Sequence, residues 1–332
     1  MTKKILITGG VGFIGLHLTN RLILEGYHVD IVDNFERGVN DKFLKSALEN
    51  QNVSLKILNL LNEDEVMSLD SDYYCIFHLA AIIGVVHVLN RPFEVLYDNV
   101  RMLANILKLS KEQSSNFSRL FFASTSEIYA GTLQHFDIKV PTPESTPLSV
   151  TDLSQPRTSY MLSKLYGEAL CQNSGTPFTI FRPHNVYGPR MGMVHVIPEQ
   201  LEKAYLAKPG DSIDVFSINH TRSFCFIEDA VEMLFLMLEN KKCEGKTLNL
   251  GSQSPEITVK ELVEECHNTV GKKLHISPAE AAPGSPSRRA PDMKLTKELL
   301  NYESRIGLSE GIKKTYDWYK ENVFENKGIS AL

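Results

Sequence analysis

The stretch KKILITGGVGFIGLHLTNRLILEGYHVDIVDNFERG, residues 3–38, decides how the rest of the chain is read. An apolar, β-branched run (4–8) leads into Gly9, Gly12 and Gly15; a helical pattern follows, and a second apolar run ends at Asp33. Strand, glycine turn, helix and strand make one βαβ unit, and such glycines let the backbone turn tightly and approach a pyrophosphate. The helix beginning within the turn offers oriented N–H groups to the same anion. Asp33 lies ~18 residues past Gly15, near the spacing at which a carboxylate takes a ribose 2′-hydroxyl. Because that carboxylate repels a 2′-phosphate, the expected cofactor is NAD rather than NADP, with Arg37 nearby as the one opposing signal.

Further apolar runs occur at 54–60, 74–81, 119–125, 178–183 and 247–251. Several are apolar almost throughout, as strands buried on both faces of a parallel sheet require. Helical patterns alternate with them, at 12–26, 93–112, 158–173, 197–207, 228–240 and 258–271. The expected fold class is α/β, a doubly wound parallel sheet (Rossmann-like) with a smaller discontinuous substrate lobe. The alternation fails at 131–157, 184–224 and 276–293, long loops that suit parts of a lobe over the carboxyl ends of the strands. The expected division assigns 1–183 and 225–255 to an NAD-binding domain, and 184–224 and 256–325 to the substrate lobe.

Net charge is only −5, with no long run of either sign, which argues against nucleic acid and anionic membranes as partners. Five scattered cysteines without a C-x-x-C pair suit free thiols in a reducing compartment. No apolar run approaches a membrane span, and the first residues do not read as a signal peptide, so a cytoplasmic protein is expected. His78, His184 and His195 lack metal-like spacing and read as packing or loop residues, so no metal is expected.

The segment SYMLSKLYGEAL (159–170) places Tyr160 and Lys164 four apart, on one face of a helix. A phenol with a pKa near 10 is a poor base at neutral pH, but an adjacent ammonium stabilises its phenolate. The phenolate can then take a proton from a sugar hydroxyl while hydride leaves the same carbon for NAD. FFASTSEIYA (121–130) ends a strand with Ser124, Thr125, Ser126 and Glu127, where an open α/β sheet places its ligand. If the strand continues, Glu127 shares a face with Thr125.

With these residues in place the chain resembles the extended short-chain dehydrogenase/reductases, in particular the nucleotide-sugar epimerase, dehydratase and decarboxylase group. The resemblance runs from about residue 3 to about 320. It is carried by TGGVGFIG (8–15), VDN (32–34), HLAA (78–81), YDNV (97–100), STSEIY (124–129), YMLSK (160–164), RPHNVYGP (182–189), RSFCFIEDA (222–230) and RRAPD (288–292). It implies cofactor contacts from Gly9, Gly12, Phe13, Ile14, Gly15, Asp33, Asn34, Asn59, Leu60, Leu79, Ala80, Ala81 and Asn99, and from Tyr160 and Lys164. It implies Tyr160 as base, Lys164 as its support, Thr125 as hydroxyl partner and Glu127 as a further catalytic group. Ser126, Asn185, Arg222 and Arg289 would meet a nucleotide-diphosphate sugar, for which guanidinium forks are well matched. A homodimer through two helices of each subunit, roughly 93–112 and 158–173, is also implied. Asn59 stands where an adenine-contacting Asp is common, and His184 replaces a usual aromatic.

Oxidising the sugar at position 4 opens several outcomes if NAD stays bound. Hydride returned to the opposite face gives a 4-epimer, a 6-carboxylate is lost as carbon dioxide, and a 6-hydroxyl leaves as water. Glu127 and RRAPD resemble UDP-glucuronate decarboxylases most. Ser126 replaces the acid that dTDP-glucose 4,6-dehydratases carry. A 4-epimerase, a 4,6-dehydratase, a simple NAD-dependent sugar dehydrogenase and a non-catalytic NAD-binding regulator remain as alternatives.

Overall fold

Seven apolar runs pair into one parallel sheet: β1 (Lys4–Thr8), β2 (His28–Asp33), β3 (Val53–Ile57), β4 (Cys75–His78), β5 (Arg119–Ala123), β6 (Phe178–Pro183) and β7 (Lys246–Leu250). These come from a computed structural model that describes residues 3–136, 138–280 and 286–326. Strand order is β7-β6-β5-β4-β1-β2-β3. Alternate side chains feed two apolar layers, as a period of two requires. Ile5, Ile7, Phe77 and Phe121 enter one, while Leu6, Ile76, Leu120 and Phe122 enter the other. Both faces are buried, which is why the runs lack polar alternation.

The chain leaves β3 at one edge and re-enters at β4, on the far side of β1. The crevice beyond the ends of β1 and β4 is therefore the switch point, where such sheets take ligands. Helices Phe13–Leu24, Pro92–Lys111 and Pro156–Asn173 occupy their expected places. Proline opens each of the last two, where its missing N–H costs nothing. Outward from this pair, Phe93 and Tyr97 stack at 5.5 Å and are exposed, as is Tyr166.

The regions expected as long loops hold more structure than their composition suggests. Residues 131–157, described except for Asp137, begin within a short helix, Ala130–His135. Within 184–224 lie helix Val196–Leu206 and strand Ser212–Phe216, which pairs in parallel with His275–Ala279. Strand Thr221–Ser223 sits between Glu256–Thr258 and Arg288–Arg289. These strands are short and their partners distant in sequence, so no local periodicity announces them. Of the expected loop 276–293, residues 281–285 lie outside the described part.

Candidate active site

Gly9 leaves β1 with φ +69, and a Cβ there would stand 2.7 Å from the Ala80 backbone nitrogen. At Gly15 a Cβ would stand 2.5 Å from Gly9 O, and at Gly12 3.0 Å from the same oxygen. Only glycine lets the turn, the strand end and the helix start, with Phe13 and Ile14, close so tightly. The cradle fits a dinucleotide. Leu79 N donates to Thr8 O at 3.1 Å, which locks the start of the 79–81 segment to the end of β1. Asp33 receives Val11 N at 3.2 Å and Phe35 N at 2.9 Å, so its carboxylate is fixed at the loop before any ribose arrives.

The other residues expected on this side are mostly braces in the structure. Asn34 Oδ1 accepts from Glu36 N (3.0 Å) and Asn59 Oδ1 from Leu61 N (3.0 Å), each holding its own turn. Leu60 is buried beneath Asn105, whose amide nitrogen donates to Leu60 O at 2.8 Å. Asn99 accepts from Ile82 N at 2.7 Å and donates to Ser163 Oγ at 3.2 Å, tying the segment after Ala81 to the helix bearing Tyr160. His78 hydrogen-bonds Thr8 Oγ1 at 2.8 Å, and burial pushes its pKa down to about 3; it is a neutral packing residue.

Across the crevice stands Tyr160, whose phenol feels the Thr125 hydroxyl at the β5 end. Burial raises the phenol's pKa, as does the charge of Glu127, while Thr125 and Arg37 pull the other way. Lys164, expected as electrostatic support for the base, is held by the backbone. Its Nζ donates to Ala123 O at 2.8 Å and stands 5.9 Å from the Tyr160 ring centroid. The lysine is buried, which pushes it down to about 8. A carbonyl at the end of β5 is nearer than the phenol and takes the ammonium first.

Glu127 reaches the cleft by a different route from strand alternation. The strand stops at Ala123, and Ser126–Tyr129 winds into a 3₁₀ turn capped by Thr125 Oγ1, which accepts from Glu127 N at 3.2 Å. Ser126 is buried in that turn. The Glu127 carboxylate forms an ion pair with Arg289. The Glu127 side chain is 48% exposed. The Arg289 charge, opposed by burial, holds it below the usual carboxylate range, with Arg157 and Arg222 adding to the effect. Parallel register sets Arg289 beside Arg222. Burial, then that neighbouring guanidinium, pushes Arg222 down to about 10. Two adjacent cations, one of them buried, make a site suited to an anion. Asn185, at φ +41, donates to Ser223 O at 2.9 Å and so braces the strand bearing Arg222.

The match to known proteins covers the same elements. The model of the NAD dependent epimerase/dehydratase family matches residues 5–251. The chain belongs to this family. The UDP-N-acetyl-alpha-D-glucosaminuronate decarboxylase of Bacillus cytotoxicus is 31% identical, over 97% of this chain and 99% of its own. UDP-glucuronic acid decarboxylase 1 of Danio rerio is 30% identical, over 97% of this chain and 73% of its own. Among solved structures, the UDP-glucuronic acid 4-epimerase of Bacillus cereus, in complex with UDP-glucuronic acid and NAD, superposes with a TM-score of 0.82. Its identity is 26%, over 96% of this chain and 99% of that one.

In this family member three buried groups support the site without having been visible in the sequence. Arg182 forms a two-pronged pair with Glu168 (2.9 and 2.7 Å) and donates to Tyr129 OH at 2.6 Å. Ser124 Oγ also donates to Glu168 at 2.6 Å, so the network lies directly under the Thr125 turn. Arg190 donates to Val11 O (2.6 Å), Val39 O (2.7 Å) and Asp41 (2.5 Å), fastening the glycine loop from behind. The signal for both arginines was weak: each sits in or beside the RPHNVYGPR segment, whose partners are 14 to 179 positions away.

Proposed function

We propose that this family member decarboxylates a nucleotide-linked hexuronate, with UDP-glucuronate as the first substrate to test. The observation that carries this reading is the Glu127–Arg289 pair beside Tyr160, in a cleft to which Arg222 and Arg157 add positive charge. With Arg222 and Arg289 given to the diphosphate, Arg157 is left as a further cation for which a neutral hexose has no counter-charge. The pair also joins the β5 end to strand Arg288–Arg289 across the sugar's place, which restricts the ring rotation that epimerisation needs.

Gly9, Gly12, Gly15 and Asp33 would hold NAD, which when bound would supply an acceptor and then a donor of hydride at the sugar's C4. Tyr160 takes the proton from the 4-hydroxyl, Thr125 orients that oxygen, and Lys164 adds positive charge behind the base. In the resulting β-keto acid the C5–C6 bond breaks, its electron pair moves to the C4 carbonyl oxygen, and carbon dioxide leaves. Glu127 orients the water that protonates C5, and the hydroxide left behind combines with the released carbon dioxide as bicarbonate. Tyr160 gives its proton back to O4 as the ketone is reduced. Arg222 and Arg289 hold the diphosphate, with Asn185 and Ser126 fixing the loops around them.

We assign 1–183 and 225–255 to cofactor and 184–224 and 256–325 to the nucleotide sugar. All seven main-sheet strands fall in the first set; strands 212–216, 221–223, 256–258, 275–279 and 288–289 fall in the second, which supports that division. The exposed Phe93, Tyr97 and Tyr166 support a homodimer through helices Pro92–Lys111 and Pro156–Asn173. A monomer mass by sedimentation at all concentrations would overturn it.

Incubation with UDP-glucuronate and catalytic NAD, followed by mass spectrometry, tests the reaction. The expected result is a nucleotide sugar lighter by carbon dioxide, with no NADH accumulating. An isomer of unchanged mass would make the protein an epimerase, and loss of water a dehydratase. NADH formed in step with product would make it a dehydrogenase.

A further inference from the structure

Arg157 stands in the first turn of helix Pro156–Asn173, the end at which the helix dipole disfavours a cation. No acidic residue lies in that turn to compensate. The side chain is exposed and, among the described residues, its guanidinium has no hydrogen bond or ion pair. Local rules broken without compensation point to function rather than stability. Arg157 precedes Tyr160 by three positions and Lys164 by seven, so all three lie along one stripe of the helix. Lys164, on that stripe, donates to Ala123 O at the β5 end at 2.8 Å, which turns the stripe toward the cleft. The charge of Arg157 acts on Glu127 from this helix, whereas Arg289 and Arg222 act from the strands opposite. Arg289 is paired with Glu127, and Arg222 donates to the carbonyls of Thr221 and Pro286 at 2.7 Å each.

We propose that Arg157 recognises the carboxylate of the sugar and so sets the preference for a uronate over a neutral hexose. The inference rests on the decarboxylase reading above. With C4 at Tyr160, the carboxylate on the adjacent C5 lies close to the base. One helical turn of about 5 Å and a long flexible arm bring the guanidinium to it. Without such a cation the substrate carboxylate would face Glu127, a like charge. The exposed, solvent-screened position suits the chemistry as well. The carboxylate must lose its charge as carbon dioxide departs, and a buried clamp would hold it in the ground state.

The test measures binding of UDP-glucuronate and UDP-glucose to the NAD-loaded protein, wild type against Arg157→Gln and Arg157→Lys, by titration calorimetry. Arg157→Gln is expected to weaken UDP-glucuronate about tenfold, as loss of one charge-assisted hydrogen bond does. UDP-glucose should stay within about twofold, since it lacks the recognised group. Arg157→Lys should recover part of the loss, and in turnover KM should rise more than kcat falls. Equal weakening of both ligands, or no change in either, would overturn the inference while leaving the reaction intact. A wild-type protein that does not prefer the uronate would overturn the decarboxylase reading and this inference with it.

Discussion

The two walls of the cleft are built by opposite means. On the cofactor side, position is set by backbone: Gly9 lies against Ala80, Gly15 against Gly9, and Asp33 is held by two main-chain N–H groups. On the sugar side, it is set by long charged side chains from separate segments: Glu127 after β5, Arg157 ahead of Tyr160, and Arg222 and Arg289 from a small sheet. Most of the first wall's constraints fall within one βαβ unit, Gly9 against Ala80 being the long-range one, whereas the second wall's charges are all drawn from separate segments. The first wall can be stiff before any ligand binds. The second holds two like charges, Arg222 and Arg289, side by side.

Tyr160 belongs to both walls, and removing its hydroxyl should give the largest effect. Tyr160→Phe is expected to lower kcat by roughly 10²–10⁴-fold, the usual contribution of general-base catalysis. Bound NAD, measured after release from the purified protein, should be unchanged. A rate within a few fold of wild type would assign the base elsewhere. Next comes the support beneath the sugar wall. Arg182 and Glu168 are 5% and 4% exposed, and Arg182→Met leaves a buried carboxylate without its cation. The expected loss of unfolding free energy in urea is about 3–5 kcal/mol. A loss below about 1 kcal/mol would show that Ser124 and water can satisfy Glu168 alone.

How much of each wall was legible in the sequence follows the same division. The glycine turn and Asp33 were readable because strand, turn, helix and strand are contiguous, and the structure has those elements in that order around a close-packed turn. Tyr160 and Lys164 were readable as a pair four apart on a helix. The placing of the lysine on Ala123 O was not, because that carbonyl lies 41 positions away. The reach of Glu127 was inferred from strand alternation but comes from a 3₁₀ turn after the strand has ended. Strands Thr221–Ser223 and Arg288–Arg289 left no pattern of their own; at three and two residues, they are too short for one. Their pairing, which sets Arg222 beside Arg289, needed three dimensions.

A smaller effect tests the stiffness of the cofactor wall. Gly15→Ala forces a methyl to within 2.5 Å of Gly9 O and 2.7 Å of Gly10 Cα, both backbone atoms that cannot swing away. Overpacking of this kind costs about 1–3 kcal/mol. The expected outcome is a lower melting temperature for the NAD-free protein together with weaker NAD binding. If melting is unchanged and only NAD binding suffers, the loop is not stiff until the cofactor orders it, and the contrast between the walls narrows.

The finest test asks whether the two walls sense each other electrically. The charge of Glu127 raises the Tyr160 pKa, second only to burial, so removing that charge must lower it. Glu127→Gln also leaves Arg289 without its partner, and an unpaired cation nearby favours the phenolate in the same direction. The base works deprotonated, so kcat/KM rises as pH climbs through its pKa. In the variant the acid limb of the kcat/KM profile should therefore move to lower pH, even if the plateau falls. Raising salt should shrink the shift, because the Glu127 side chain is 48% exposed and can be screened. An acid limb that stays in place would mean that the sugar wall reaches the base only through the substrate, and Glu127 would then act on the sugar alone.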